Sequence, residues 1–451
     1  MLPARDDVWA AYSPGPAQPW NLRRVVHLHR RAGLGATWAA IERDLAAGPG
    51  DAVTRLLDGK RMEGVPEDFD YKAGLLADAA TATNDAARLK SWWLWRLLFT
   101  PDPLGERLAL CWHNHFATSQ LKVMDLTAMH RQNELFRRLG RAPFGTLFTA
   151  VVHDPALLRW LDAQANRVEH PNENLAREIM ELFSLGVGNY GERDVREAAR
   201  ALTGWCVTVD GRFYASAERH DGGTKTILGR TGEFTGDDLV AILLDQPATS
   251  RRLARRLCEL FLREELHTPE NVESLAAELR SHSLDIGHGV ALVLRSRLFF
   301  SDANLGGVVL GPAQFIAGAA RALELFEPPP SMLLLAEWCT RLGQDLFFPP
   351  TVFGWDGGRA WISTGSLLGR ARFATELTDG TLAAGGPARM DALAGRHGRE
   401  DPTALGAFLE QLFLGTGSGR SLRSDAGLSG DSRGRARVVA RFLSSPEAQL
   451  G

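Results

Sequence analysis

Apolar residues recur every three to four positions along most of this chain, the spacing of helices that bury one face. Leu22, Val25, Val26 and Leu28 carry the repeat until Gly33 stops it. Thr37 is placed to cap a helix through Ile41 and Leu45, and the pattern continues from Ala52 to Leu57. Asn84 to Phe99 predicts a long helix that ends before Pro101. Asp102-Pro103 then reads as an N-cap with proline at the first helical position. The helix from Leu104 has an apolar stripe through Leu108 and Cys111, and His115 continues that stripe.

Further helices are predicted over Asp125 to Arg138, Gly145 to Val152 and Pro155 to Asp162. Asn172 reads as the N-cap of a helix that ends at Gly186, and Asp194 to Thr203 is helical up to Gly204. The pattern changes at Trp205. Val207, Val209, Phe213 and Ala215 alternate around Asp210-Gly211, a hairpin signal, and a loop rich in Gly and Thr follows from His220 to Phe234. Helical spacing returns over Asp237 to Leu244, Ser250 to Leu262, Val272 to Ser281, Ile286 to Arg297, Pro312 to Leu325 and Ser331 to Leu342. Gly343 to Ser363 reads as an ordered loop, Leu367 to Leu377 as helix and Thr378 to Pro387 as a linker. Thr416 to Gly434, rich in Ser, Gly and Arg, is expected to be mobile, and Arg435 to Leu443 forms the last helix. The expected fold is mainly α: a multi-helix array with a small β-hairpin and loop insertion around 205–235. That divides the chain into a helical region 1–204, the insertion 205–235 and a helical region 236–451, packed as one compact unit.

Composition narrows the function classes. The chain has 451 residues, 45% hydrophobic and 23% charged, with 51 basic against 54 acidic side chains and a net charge of −3. No global field favours nucleic acid or an anionic membrane. No apolar run reaches the about 18 residues of a membrane span, and Met1 to Asp7 lacks the apolar core of a signal peptide. A cytoplasmic location is expected. Cys111, Cys206, Cys258 and Cys339 lie far apart among apolar neighbours and read as buried free thiols.

The candidate chemistry sits in three segments. His113-Asn114-His115 places two imidazoles between aromatics, where an unpartnered ring is costly. On a helix, residues two apart point about 200° apart, so the two rings share an ion only if the helix ends there. Asn174, Glu178 and Glu181 form one stripe of the next polar helix, with Arg177 at its edge and Glu173 at i−4. At least one of the two histidines is expected beside those carboxylates, with Arg177 buried against them. The Glu178-x-x-Glu181 spacing lacks the Glu-x-x-His pairs of a ferritin-like centre. The loop His220-Asp221-Gly222-Gly223-Thr224-Lys225 presents an imidazole, a carboxylate and an ammonium together, and His220 is the natural third imidazole. The competing readings are bland: hydrogen-bonded core histidines, a solvated helix face and a self-bonded loop. His27 and His29 read as structural or surface residues, Asp154 as a helix cap, and Arg251, Arg252, Arg255 and Arg256 as a solvated cationic face.

The order and wording of several segments resemble the bacterial family called "domain of unknown function 1800". They are His27-Leu28-His29-Arg30-Arg31-Ala32-Gly33-Leu34-Gly35, Trp112 to Ser119, Pro171 to Glu178, Asp194-Val195 through Ala201 to Trp205, and His220-Asp221-Gly222 with Lys225-Thr226 and Leu228-Gly229. Pro349-Pro350 through Gly354-Trp355 and Trp361-Ile362-Ser363 complete the match. The resemblance implies a mainly helical protein. It also implies that many relatives are exported and occur beside an alkaline-phosphatase-like partner, so a partner protein from a neighbouring gene is expected. It carries over no catalytic set.

Three functional readings follow. In the first, a metal-dependent oxidoreductase acts on a small or carrier-bound organic substrate. His113, His115 and His220 would be its ligands, with Glu178, Glu181, Arg177, Asp221 and Lys225 as catalytic groups. Such a mixed set suits Fe, Mn or Zn, and haem stays open although a Cys-x-x-Cys-His motif is absent. The second is a hydrolase or transferase using the same groups with zinc or without metal. The third is a binding or assembly protein with a buried polar network.

Overall fold

The computed structural model describes residues 8–59, 66–417 and 429–451. Helices dominate, and the β structure among the described residues is two antiparallel two-stranded sheets. The first pairs Trp205–Val207 with Phe213–Ala215, with Trp205 opposite Ala215, at the predicted hairpin. The second pairs Lys225–Ile227 with Arg230–Gly232 inside the segment read as loop.

The start signals act as expected. Thr37 caps Trp38–Ala47, Asp102 Oδ1 accepts from Gly105 N at 2.9 Å to cap Pro103–His115, and Asp154 caps Pro155–Trp160. Each cap satisfies a backbone N–H that the first helical turn leaves without a partner.

The centre of the molecule is built by Ala86–Phe99 and Pro103–His115. Trp92, Trp93, Trp112 and Phe116 are fully buried there. Phe69–Ala82, Pro312–Ala322 and Met332–Arg341 pack on the first of these helices, and Leu126–Leu139 packs on both. Inside this apolar layer lies Glu106, whose side chain is 1% exposed. It accepts from Arg96 Nε at 2.9 Å, from Arg137 Nε and Nη2 at 2.7 and 3.0 Å, and from Trp93 Nε1 at 3.2 Å.

Among the described residues, four α-helices are present that the apolar pattern does not announce: Phe69–Ala82, the single turn Gln120–Val123, Gly386–Arg396 and Pro402–Leu414. The first buries Phe69, Ala73, Ala77 and Ala80, while Tyr71, Leu75 and Leu76 face outward. Its core face is small and its large apolar residues are exposed, so the pattern is inverted. The expected linker Thr378 to Pro387 is a tight connection whose Leu382 carbonyl accepts from Ser331 N at 2.9 Å. Most of the segment expected to be mobile, Thr416 to Gly434, lies outside the described residues.

His27 and His29 are buried rather than on the surface. His29 Nε2 meets Asp44 Oδ2 at 2.9 Å, and Asp44 also binds Arg43 and Arg55. All four cysteines are buried free thiols.

Candidate functional site

The Pro103–His115 helix presents its three polar C-terminal residues in three directions. The His113 ring lies among Trp93, Phe347, Trp355 and Phe136, with centroids 5.3, 5.6, 5.5 and 6.2 Å away. Its Nε2 is buried and has no hydrogen-bond partner. Burial pushes its pKa down to about 3, so the ring is neutral. His115, about 200° round the helix, donates from Nε2 to the Phe183 carbonyl at 3.2 Å. Burial and the nearby Arg256 and Arg252 hold it well below the usual histidine range. Asn114 pairs with the backbone of Trp355, Nδ2 donating to its carbonyl at 3.2 Å and Oδ1 accepting from its N–H at 2.6 Å. Gly354 makes this approach feasible. It has φ +80°, and a Cβ there would lie 2.2 Å from Asn114 Oδ1.

The acidic helix ends at Gly186 as expected, but it is not α-helical throughout. Asn174–Glu178 is α-helical, and Ile179–Leu185 continues as a wide π-helix that ends at Gly186. Ser184 Oγ bonds back five residues to the Ile179 carbonyl at 2.7 Å. Wide turns present carbonyls sideways, and side chains from other helices take them up. Leu182 O accepts from Arg252 Nε at 3.2 Å, and Phe183 O accepts from His115. His115 therefore reaches this segment, but it bonds a carbonyl instead of a carboxylate. Glu178 is half-buried, and burial together with Glu181 raises its pKa. Glu181 accepts from the Tyr190 hydroxyl. Arg177 is turned to the surface, where it binds Glu173 and Glu192 at 3.0 and 2.9 Å. The expected buried guanidinium is a solvated ion pair, because the i−4 glutamate and the next helix start lie on the outer side.

The His220 loop is closed by its own bonds. His220 Nδ1 donates to the Thr203 carbonyl at 3.0 Å. Asp221 holds Arg200 at 2.7 and 3.2 Å, which keeps its carboxyl below the usual range. Lys225 is 1% exposed, and its Nζ donates to the carbonyls of Asp221 and Gly223. These groups tie the second sheet to the Glu192–Ala201 helix. The expected ligand set His113, His115 and His220 is thus not gathered. Among the described residues, the one group of His, Cys, Asp or Glu with ligand atoms this close together is Glu278, His282 and His288, elsewhere on the chain.

A cleft of about 760 Å³ opens beside the same helix. Its walls come from Pro103–His115, Pro247–Phe261, the loop 307–311 and the aromatic loop 353–361. Its lining includes Arg31, Arg107 and Arg256, the acidic Glu259, Glu264, Glu265 and Asp356, and the aromatic Phe353, Trp355 and Trp361. Arg107 is 7% exposed. Among the described residues its guanidinium has no hydrogen bond or carboxylate, and Nε is buried without a partner. Burial lowers its pKa to about 10, which still leaves it charged at neutral pH. Arg31 is 1% exposed and donates only to the carbonyls of Phe261 and Leu260, at 3.4 and 2.6 Å. Burial and Arg107 lower it to about 9. Arg256 donates to Cys111 O at 3.2 Å and to Glu259 at 3.4 Å. So half of the arginine face read as solvated turns inward, Arg252 to the π-helix and Arg256 to the cleft. The 307–311 wall is itself held by residues 449–451, with Leu310 N donating to Gln449 O at 2.9 Å and Gly451 N to Val308 O at 2.8 Å.

Sequence reasoning missed Arg31 and Arg107. One signal was available: Glu106-Arg107 is a charged pair in a helix in which every residue except Asn114 is buried. Glu106 spends its charge on Arg96 and Arg137, and Arg107 keeps its own.

The family model described as "Protein of unknown function (DUF1800)" matches residues 27–450. The chain belongs to that family. No curated protein and no solved structure matches it.

Proposed function

We propose that this chain binds a small anionic organic molecule, or the phosphate of a carrier arm, in the arginine-floored cleft, and acts on it there as an enzyme. The observation that carries the reading is Arg107, a buried guanidinium with no carboxylate, set beside Arg31. Burying an unpaired charge costs stability. Proteins retain such costs where a ligand repays them. A carboxylate or phosphate is the planar or multidentate acceptor that a guanidinium fork fits. Trp355 and Trp361 would cover the organic part. The His-Asn-His segment serves this cleft indirectly, with Asn114 latching the Trp355 loop and His113 filling the space behind it. Four buried free thiols support a reducing compartment. No helix among the described residues is long and apolar enough to cross a membrane.

Calorimetric titration with inorganic phosphate, citrate and a phosphopantetheine fragment tests the proposal, on wild type and on Arg107→Met. Charge-assisted bonds contribute about 1.5–3 kcal/mol, so the variant should bind about tenfold more weakly or worse. Its unfolding temperature should stay equal or rise, because an unpaired buried charge is gone. Wild type that binds none of the anions, or a variant that binds them equally, would overturn the proposal.

A further inference from the structure

We propose that Cys111 is the nucleophile of the arginine cleft and attacks an electrophilic carbon in the anion that Arg107 holds. The inference rests on the anion-binding reading above and adds the reacting atom. Arg107, Leu110, Cys111 and Asn114 all line the cleft. Their spacing, i, i+3, i+4 and i+7, is one face of Pro103–His115. Residues four apart on a helix have Cβ atoms about 5–6 Å apart. The thiol therefore sits one helical turn from the guanidinium that lacks a carboxylate. Cys206, Cys258 and Cys339 are not among the lining residues.

A structural cysteine buried among apolar groups is inert, whereas reactive ones sit in electropositive, partly accessible surroundings. Cys111 is 6% exposed, on the wall of an open cleft. Arg256 reaches it from Pro247–Phe261 and donates from Nη2 to its carbonyl at 3.2 Å. Burial acts to lower Arg256, but a thiolate at Cys111, together with Glu259, outweighs it and raises the guanidinium. The same thiolate opposes the burial that lowers Arg107. Glu259 is shared between Arg256 at 3.4 Å and Arg255 at 3.2 Å, so it does not cancel Arg107. The other cysteines differ. Burial pushes the Cys258 thiol up to about 12 and also raises Cys339. Cys206 has a cation, with Arg219 Nη1 3.6 Å from its sulfur, but it is 2% exposed and lies off the cleft.

One helical turn between cation and sulfur sets the substrate class. The carboxylate or phosphate takes the Arg107 fork. The electrophilic carbon lies about one to three bonds from that group, which is the reach across one turn, and it carries a leaving group. The thiol proton passes to water in the cleft. The sulfur lone pair then forms the S–C bond, the bond from carbon to the leaving group breaks, and that group departs with its electron pair. The step consumes no oxidant or reductant. It narrows the reading to the small anion, because the reactive end of a carrier arm is far from its phosphate.

Iodoacetate and iodoacetamide test this, since they share the electrophilic carbon and the leaving group and differ in charge. The native full chain is treated with each, and peptide mass spectrometry follows all four cysteines over time. The chain unfolded in urea gives the intrinsic reactivity of the same thiols. Cys111 should be the first cysteine to carry the carboxymethyl group. Its iodoacetate-to-iodoacetamide rate ratio should exceed that of the unfolded chain by about tenfold or more, the size of one charge-assisted contact. Inorganic phosphate should slow the iodoacetate reaction at Cys111. Arg107→Met should return the ratio to the unfolded value and leave the iodoacetamide rate nearly unchanged, with circular dichroism as the check on folding. Wild type alone decides the matter if that variant does not fold. A Cys111 that reacts no faster than Cys258, or a ratio equal to that of the unfolded chain, would overturn the proposal. Anion binding by calorimetry with an inert Cys111 removes the nucleophile and keeps the anion site, whereas loss of anion binding removes both.

Discussion

Replacing Glu106 by glutamine changes one atom and tests the centre on which the site is mounted. The carboxylate takes four N–H groups, two on each oxygen: Arg96 Nε and Arg137 Nε on Oε1, Arg137 Nη2 and Trp93 Nε1 on Oε2. Glutamine keeps the volume but turns one acceptor into a donor. Two N–H groups then face an NH₂, Arg96 loses its carboxylate, and Arg137 loses one of its two. Breaking a buried pair in this way costs about 3–5 kcal/mol. Arg137 retains Glu134 and Asn133, each at 2.7 Å, so the lower end, about 3 kcal/mol, is expected. Urea unfolding followed by tryptophan fluorescence measures it, since Trp93 is itself a partner. The pH dependence supplies a second check. Burial alone raises Glu106, but Arg137 and Arg96 outweigh it and hold the folded carboxyl below the ordinary 4.5. A depressed carboxylate stabilises fully above the unfolded value and loses that contribution as pH falls through the folded one. The gap between wild type and variant should be constant above pH 4.5 and shrink below it. A gap under about 1 kcal/mol at neutral pH, the size of an exposed pair, would refute the reasoning.

Other outcomes follow from the same geometry. Arg177→Ala should cost less than about 1 kcal/mol in denaturant unfolding, because its partners are solvated. Gly354→Ala should destabilise by about 1–3 kcal/mol and shift tryptophan emission, since a left-handed φ and the Asn114 oxygens both oppose a Cβ; unchanged stability and emission would contradict the latch. His113 should show no titration between pH 8 and 5 in nitrogen-labelled NMR spectra. Its folded pKa, about 3, lies below the unfolded 6.5, so the unfolded chain takes the proton first and its contribution falls as pH drops below 6.5. A midpoint near 6.5 would mean that the ring is wet.

What the sequence made legible depends on the distance over which the physics acts. Caps and helix starts at Thr37, Asp102 and Asp154 are decided within four residues, and each appears where read. The divergence of His113 and His115 follows from helix geometry alone. The π-helix at Ile179–Leu185 was hidden, because the same residues spell an α-helical stripe until the turn widens. The helix Phe69–Ala82 was hidden because alanines, not leucines, face the core. The cleft was beyond reach for a different reason. Arg31, Arg107, Arg256 and Trp361 come from four separate stretches, and each alone resembles an ordinary surface or core residue. Only their convergence reveals that Arg107 lacks a counter-charge.

The knitting of residues 449–451 to the 307–311 loop also sets an order of manufacture. Arg31 and Arg107 leave the ribosome well before the residues that tie the opposite wall. The wall opposite them gains its Gln449 and Gly451 partners only when the last residues of this stretch have been made. Synthesis runs from the N-terminal side, so this wall cannot be tied in place until residues 449–451 have been made. A nascent chain stalled before residue 449 would hold the charged floor without its far wall.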